Sequence, residues 1–125
     1  MHIFAVRNLC LSTETEVALF LQNFKEKMKI WDVLFRDDRS KNSQTLIDLE
    51  LRPIERKVVL EGLKTKDYSE GPLEELLNGG ADMWVFGKTI KEHEVYIKIT
   101  MGILGSSVIC ISFHISEYKL NYPLK

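Results

Sequence analysis

"EVYIKITMGILGSSVICISFHI", residues 94–115, decides the fold. In its first part Val95, Ile97 and Ile99 alternate with Glu94, Tyr96, Lys98 and Thr100; in its last part Ile109, Ile111, Phe113 and Ile115 alternate with Val108, Cys110, Ser112 and His114. A period of two is that of a strand with one apolar face, and the glycine-bounded "GILGSS" between the two parts predicts a hairpin. Directly opposed residues of a hairpin point the same way, so the isoleucines of both strands share a core only if the register keeps them opposed. The numbers of opposed residues then sum to an even value of about 208. That places Tyr96 near Ser112, Lys98 near Cys110 and His114 near Glu94, so a phenol, an amine, a hydroxyl and an imidazole meet on the face turned away from the core. An antiparallel sheet ordinarily has one solvated face on which Lys, Thr and Tyr are common, so the pattern alone leaves this face either a wet surface or a site.

Outward from this hairpin, "MWVFGK" (83–88) reads as a third strand joined through "TIKEHE", which makes an antiparallel meander. At the other end Thr13 and Glu16 form a T-x-x-E capping box, followed by Val17, Phe20, Leu21, Phe24 and Met28 at helical spacing, so a helix is predicted over 14–28. "IWDVLF" (30–35) has the composition of a strand and "RDDRSKNSQ" (36–44) that of a polar loop. Pro53 fits the first turn of a second helix, 53–63, with Ile54, Val58, Leu60 and Leu63 as its apolar stripe. "KTKDYSEGPLEELLNGGAD" (64–82) reads as one long loop, with turns at Gly71-Pro72 and Gly79-Gly80 around a helical turn from Leu73 to Leu77; long ordered loops often carry function. The predicted fold is α+β, with two N-terminal helices packed on one face of a small antiparallel sheet that ends in a three-strand meander. Residues 1–125 read as a single domain; residues 1–12 are either part of the fold or an appended segment, and 116–125 form a tail.

A chain of 125 residues with 45% hydrophobic content can bury one core unaided. Its 17 basic and 18 acidic residues leave a net charge of −1, so no global positive field would draw it onto nucleic acid, and a polyanion site would have to be local. Cys10 and Cys110 sit in apolar runs without a CxxC pair, which fits reduced, buried thiols in a cytoplasmic protein. The opening "MHIFAVRNLCLS" is interrupted by Arg7 and lacks a cleavage site, and no run approaches the roughly 20 apolar residues of a membrane span. His2, His93 and His114 lack zinc-like spacing, and no GxxxxGK[ST] or GxGxxG occurs, so no metal or cofactor is expected.

The stretch "DMWVFGKTIKEHEVYIKITMGILGSSVICISFH" resembles the C-terminal sheet of the MqsR-like bacterial toxins, in which a tryptophan strand, a basic turn, a "VYLKI" strand and a final strand ending near "SFK" follow one another. The upstream order of helix, strand and "GLKTKDY" is similar too, so the likeness covers about residues 15–115. The resemblance implies a fold related to RelE and an mRNA-cleaving toxin of a bacterial toxin-antitoxin pair, acting without metal or organic cofactor, held in check by a cognate antitoxin protein, and binding no DNA by itself. Carried over by position, Tyr96 and Lys98 match the tyrosine and lysine of V-Y-[IL]-K-I. The family's final-strand lysine falls at His114, its glutamine after the tryptophan at Val85, and its loop lysine at Glu70, with Lys66 as a stand-in four residues away.

Metal-free RNA cleavage proceeds by attack of the ribose 2′-OH on the adjacent phosphate, which needs a base, a cation for the developing phosphorane charge and an acid for the leaving 5′-oxygen. Lys98 is the candidate charge stabiliser. The imidazole of His114 can act as acid or base near neutral pH, and Tyr96 can position the phosphate or donate a proton. Lys64, Lys66, Lys88 and Lys91 would contact phosphates, together with Arg36, Arg39 and Lys41 of the "RDDRSK" stretch, unless they are simply solubilising charges offset by Asp37, Asp38, Asp67 and Glu70. Ser112 would line the same face. Tyr68 would offer a stacking surface, whereas Trp84, in an apolar strand, is expected in the core. The alternative is a non-catalytic module that keeps the antitoxin-binding surface and has lost nuclease chemistry, as the residues at Val85, Glu70 and His114 would suit.

Overall fold

The computed structural model describes residues 11–74 and 80–125. Helix α1 (Glu14–Trp31) opens with the expected box: Glu16 N–H donates to Thr13 Oγ1 at 3.2 Å, and Thr13 N–H to Glu16 Oε1 at 2.8 Å. Val17, Phe20, Leu21, Phe24 and Met28 are all buried. The helix outruns its predicted end because elongating a formed helix is cheap, and Ile30 and Trp31, expected in a strand, close its last turn facing solvent. Asp32 ends it at φ 67°, with its N–H on Met28 O and its carboxylate accepting Val33 N–H. At ψ −167° this is a strained conformation that favours glycine, and the carboxylate bond to Val33 N–H and the pair with Lys57 help to hold it.

Strand β1 (Val33–Phe35) follows, and then the expected polar loop is instead helix α2 (Ser40–Asp48). Its buried residues are polar, Asn42 and Thr45. Helix α3 (Pro53–Glu61) is close to its predicted span, but Leu60 and Arg56 are its buried residues while Ile54 and Val58 face solvent. The Arg56 guanidinium lies 4.0 Å over the Phe35 ring and forms a two-point pair with the Asp37 carboxylate, at 2.6 and 3.2 Å. That satisfied geometry is what makes a buried arginine tolerable.

The expected long loop begins with a 3₁₀ turn (Thr65–Asp67) and continues as strand β2 (Tyr68–Leu73). The turn expected between Leu73 and Leu77 lies mostly outside the described residues, and Leu73 itself ends β2. Strands β3 (Met83–Ile90), β4 (His93–Thr100) and β5 (Val108–Ile115) form the expected meander. The sheet has five strands in the order β1-β5-β4-β3-β2, and it is mixed: β1 runs parallel to β5, through Val33↔Val108, Leu34↔Ile109 and Phe35↔Cys110. Among the described residues the fold is thus α+β with three α-helices and a five-stranded mixed sheet, in place of two helices on an antiparallel one.

Beyond β1 the outer edge of β5 is closed by α2. Asn42 Nδ2 donates to Ile111 O (3.0 Å) and to Arg36 O (2.9 Å), Asn42 Oδ1 accepts Phe113 N–H (3.0 Å), and Thr45 Oγ1 accepts Ile115 N–H (3.1 Å). Two side chains of a helix therefore do for 111–115 what a neighbouring strand would do, and no bare ladder is left exposed there.

The β4–β5 register differs from the expected one by two residues. Tyr96 opposes His114, Ile97 opposes Phe113 and Lys98 opposes Ser112; a bulge then follows, after which Ile99 opposes Cys110. The extra residue is Ile111, and it reverses the alternation of β5. Val108, Cys110 and Phe113 join the core cluster, whereas Ile109 and Ile111, expected there, are buried outside it. Cys110, expected opposite Lys98 on the other face, is a core thiol that burial pushes far above its ordinary range; Cys10 lies outside the described residues. His114 is not beside Glu94, whose carbonyl accepts the N–H of Ser116.

Candidate functional site

On the face turned away from α1, paired positions form two adjacent rows. One row runs Glu70↔Val85↔Lys98↔Ser112 across β2, β3, β4 and β5, and the next runs Gly87↔Tyr96↔His114 across β3, β4 and β5. The family resemblance singled out Tyr96, Lys98, His114, Val85 and Glu70, and all five fall within these two rows. The regular pairing of β4 with β5 up to Lys98 and Ser112 is what keeps them on one side; the bulge begins just beyond.

Within the cluster the Tyr96 and His114 rings stack, with centroids 5.2 Å apart and planes inclined by 15°. Lys98 Nζ lies 5.9 Å from the centroid of the Tyr96 ring. His114 Nδ1 is 3.0 Å from the carbonyl oxygen of Ile115, which orients the imidazole. Ser112 is buried beside Lys98. Burial first, and then the neighbouring Tyr118 and Glu70, push the Tyr96 phenol up to about 12, against the smaller pull of Arg39. Tyr96 is therefore a neutral hydrogen-bond donor at physiological pH. His114 also lines an open groove of about 370 Å³ between α2 and β5, whose wall includes Lys41, Gln44, Thr45 and Asp48.

A residue group that sequence reasoning did not assign completes one side of the cluster. The tail folds back so that Glu94 accepts from Leu120 N–H (3.0 Å) and from the Tyr122 hydroxyl (2.6 Å). Burial and the Glu94 carboxylate both raise the Tyr122 phenol. Leu120 and Tyr122 lie over Gly87, where any Cβ would overlap the Tyr122 hydroxyl and come within 2.7 Å of Leu120 Cδ1. Between Ser116, whose N–H donates to Glu94 O, and Leu120, Tyr118 stands edge-on to Tyr96, with centroids 6.4 Å apart and planes at 64°. The one sequence signal for this was Gly87 inside a strand, which often marks close approach of another segment.

The remaining candidates, apart from Lys41 on the wall of the groove that His114 lines, are not brought to this cluster. Lys64 and Lys66 stand exposed around the 3₁₀ turn at the β2 side of the sheet. Lys88 pairs with Asp67 at 3.2 Å, and Lys91 Nζ donates to Glu50 O at 3.3 Å. Tyr68 is fully buried, with its hydroxyl donating to Gly71 O and accepting from Ser12 N–H, so its ring cannot stack on a base in this conformation. Trp84 packs against the core as expected, stacked on Phe20 with centroids 4.5 Å apart. Arg36 binds Asp38, and Lys41 binds Glu117. Among the described residues no three His, Cys, Asp or Glu side chains are grouped to hold a metal ion, and no helix is long and apolar enough to cross a membrane.

Comparison with protein-family models, with curated proteins and with solved structures returned no match for this chain.

Proposed function

We propose that this chain is an endoribonuclease toxin that cleaves mRNA by 2′-OH attack and is silenced by a cognate antitoxin. The observation that supports the reading is the stacked Tyr96–His114 pair with Lys98 beside it on the face away from the helices. In this reading a phosphate sits against Lys98, whose ammonium stabilises the phosphorane oxygens, and the neutral Tyr96 hydroxyl donates to a second oxygen. The 2′-oxygen loses its proton and bonds to phosphorus while the P–O5′ bond breaks, leaving a 2′,3′-cyclic phosphate and a 5′-hydroxyl. His114 handles the proton that the 2′-OH loses or the 5′-oxygen gains. The test is expression followed by incubation of purified protein with mRNA. Growth arrest and cleavage that Lys98→Ala reduces by at least about a hundredfold would support the reading, since removing one preorganised charge stabiliser ordinarily costs that much. Full toxicity of Lys98→Ala would remove the site assignment.

A second reading, a binding module that holds an antitoxin but cleaves nothing, has its own observation. The Lys98 row carries a buried apolar Val85 and an acidic Glu70, which repels phosphate. A tight complex with a small partner protein, together with intact RNA, would favour it.

A further inference from the structure

We propose that Tyr118 is a stacking platform for one base of single-stranded RNA, holding the nucleotide next to the phosphate that reaches Lys98; the inference rests on reading this face as an RNA-cleaving site. Tyr118 is 61% exposed, yet the chain on both sides of it is fixed. Ser116 N–H donates to Glu94 O (2.8 Å), Leu120 N–H to Glu94 Oε1 and the Tyr122 hydroxyl to Glu94 Oε2, while Ser116 Oγ donates to the Tyr118 carbonyl. The anchoring is done by Glu94, Leu120 and Tyr122, so filling the core does not require the Tyr118 ring. An aromatic surface that is exposed and preorganised binds without a large ordering cost.

Its position matters as much as its exposure. The ring stands one aromatic neighbour from Tyr96, which stacks in turn on His114, so a base lying on Tyr118 keeps its own phosphate within a nucleotide's reach of Lys98 and His114. Lys98 is the cation beside the Tyr96 ring. Local cations beside stacked rings suit a chain of net charge −1, which cannot rely on a general positive field. Stacking on a tyrosine requires a base free of its neighbours, so this platform selects single strands over duplex and reads little of base identity. Tyr118 lies beyond residues 15–115, the part of the chain that carries the family resemblance.

The test uses the full chain and a fluorescent 2′-O-methyl oligonucleotide, which cannot be cleaved because its 2′-oxygen is blocked, with anisotropy as the readout. Tyr118→Ala should weaken binding by roughly 5- to 150-fold, the range for losing one stacked base, while Tyr118→Phe stays within about twofold of the parent. Both variants should keep the parent's thermal midpoint, since the ring is exposed. Equal binding by the parent and Tyr118→Ala, in a protein that does cleave mRNA, would overturn the platform and leave the nuclease reading standing. A loss in Tyr118→Phe as large as that in Tyr118→Ala would also overturn it, by assigning the effect to the hydroxyl. A parent protein that neither binds the oligonucleotide nor cleaves mRNA overturns the nuclease reading and the platform with it.

Discussion

Replacing Asn42 by alanine should be among the most damaging single changes in this domain. Its side chain makes three hydrogen bonds at 3% residual exposure: two donated, to Ile111 O and Arg36 O, and one accepted, from Phe113 N–H. Arg36 is half-buried, so its carbonyl can recruit water after truncation. Ile111 and Phe113 are buried, and their backbone groups face the space the amide vacates. At about 1–3 kcal/mol for each buried polar group left without a partner, two such groups cost about 2–6 kcal/mol, centred near 4. A domain of this length has a total stability of roughly 6–19 kcal/mol, so the loss is a substantial fraction. With a urea dependence of roughly 2 kcal/mol per molar, the unfolding midpoint should fall by about 2 M. Asn42→Asp should fare no better, because it keeps the acceptor for Phe113 but loses both donors and points a carboxylate at a carbonyl. Urea titration monitored by tryptophan fluorescence gives the midpoint, and hydrogen exchange reports the Phe113 amide. A midpoint within about 0.25 M of the parent, that is about 0.5 kcal/mol, with that amide still protected, would refute the claim that α2 substitutes for a strand.

Three further outcomes are expected. A Tyr96 phenol raised to about 12 favours the folded state below its unfolded value of about 10, and that contribution is lost as the pH climbs from 10 through 12. Ultraviolet titration should therefore show late ionisation from Tyr96 and Tyr122, of which Tyr96→Phe removes the Tyr96 share; an unchanged late-ionising amplitude in Tyr96→Phe would contradict it. Gly87→Ala should push Leu120 and Tyr122 off the sheet at a cost of about 1–3 kcal/mol, seen as faster carboxypeptidase trimming of residues 116–125, and unchanged trimming would mean the tail is not seated there. Lys91 and Glu92 form the two-residue β3–β4 turn at φ 49° and 71°, where Asn-Gly is preferred, so the double change Lys91→Asn, Glu92→Gly should raise stability by about 1 kcal/mol; a lower melting point would show that the turn is not strained.

What could be read in the sequence, and what could not, divides along physical lines. Helix α1 was legible because a capping box precedes five apolar residues at helical spacing, and each of the five is buried. Strand β4 alternates cleanly, and the common side of Tyr96, Lys98, Ser112 and His114 followed from pairing that alternation with the one in β5. Helix α2 was illegible because what it buries is Asn42 and Thr45, whose purpose is visible only once β5 stands beside them. Strand β2 was hidden by Gly71-Pro72, which reads as a turn although an edge strand accommodates a proline. The bulge was invisible for a different reason: Val108, Ile109, Cys110 and Ile111 are all apolar, so either phase of β5 satisfies a hydrophobic pattern. Tyr118 was missed because its place beside Tyr96 depends on the tail contacts to Glu94, which no local spacing reveals.

The arrangement at the edge of β5 also bears on how the domain assembles in time. Strands β3, β4 and β5 are joined by short links and can zip up locally, whereas β1 meets β5 through Val33 and Val108, and Asn42 meets Phe113 across 71 positions of chain. Contacts that distant in sequence close large loops at an entropic cost, and we expect this edge to dock onto an already formed meander, after the rate-limiting barrier. Their loss then hastens unfolding more than it slows folding. The chevron of Asn42→Ala should accordingly shift on its unfolding arm, and a shift confined to the folding arm would place the β1–α2 edge inside the nucleus. On this account the edge that carries Ser112 and His114 is a kinetic latch, and its quality determines how long each folded molecule lasts before it opens.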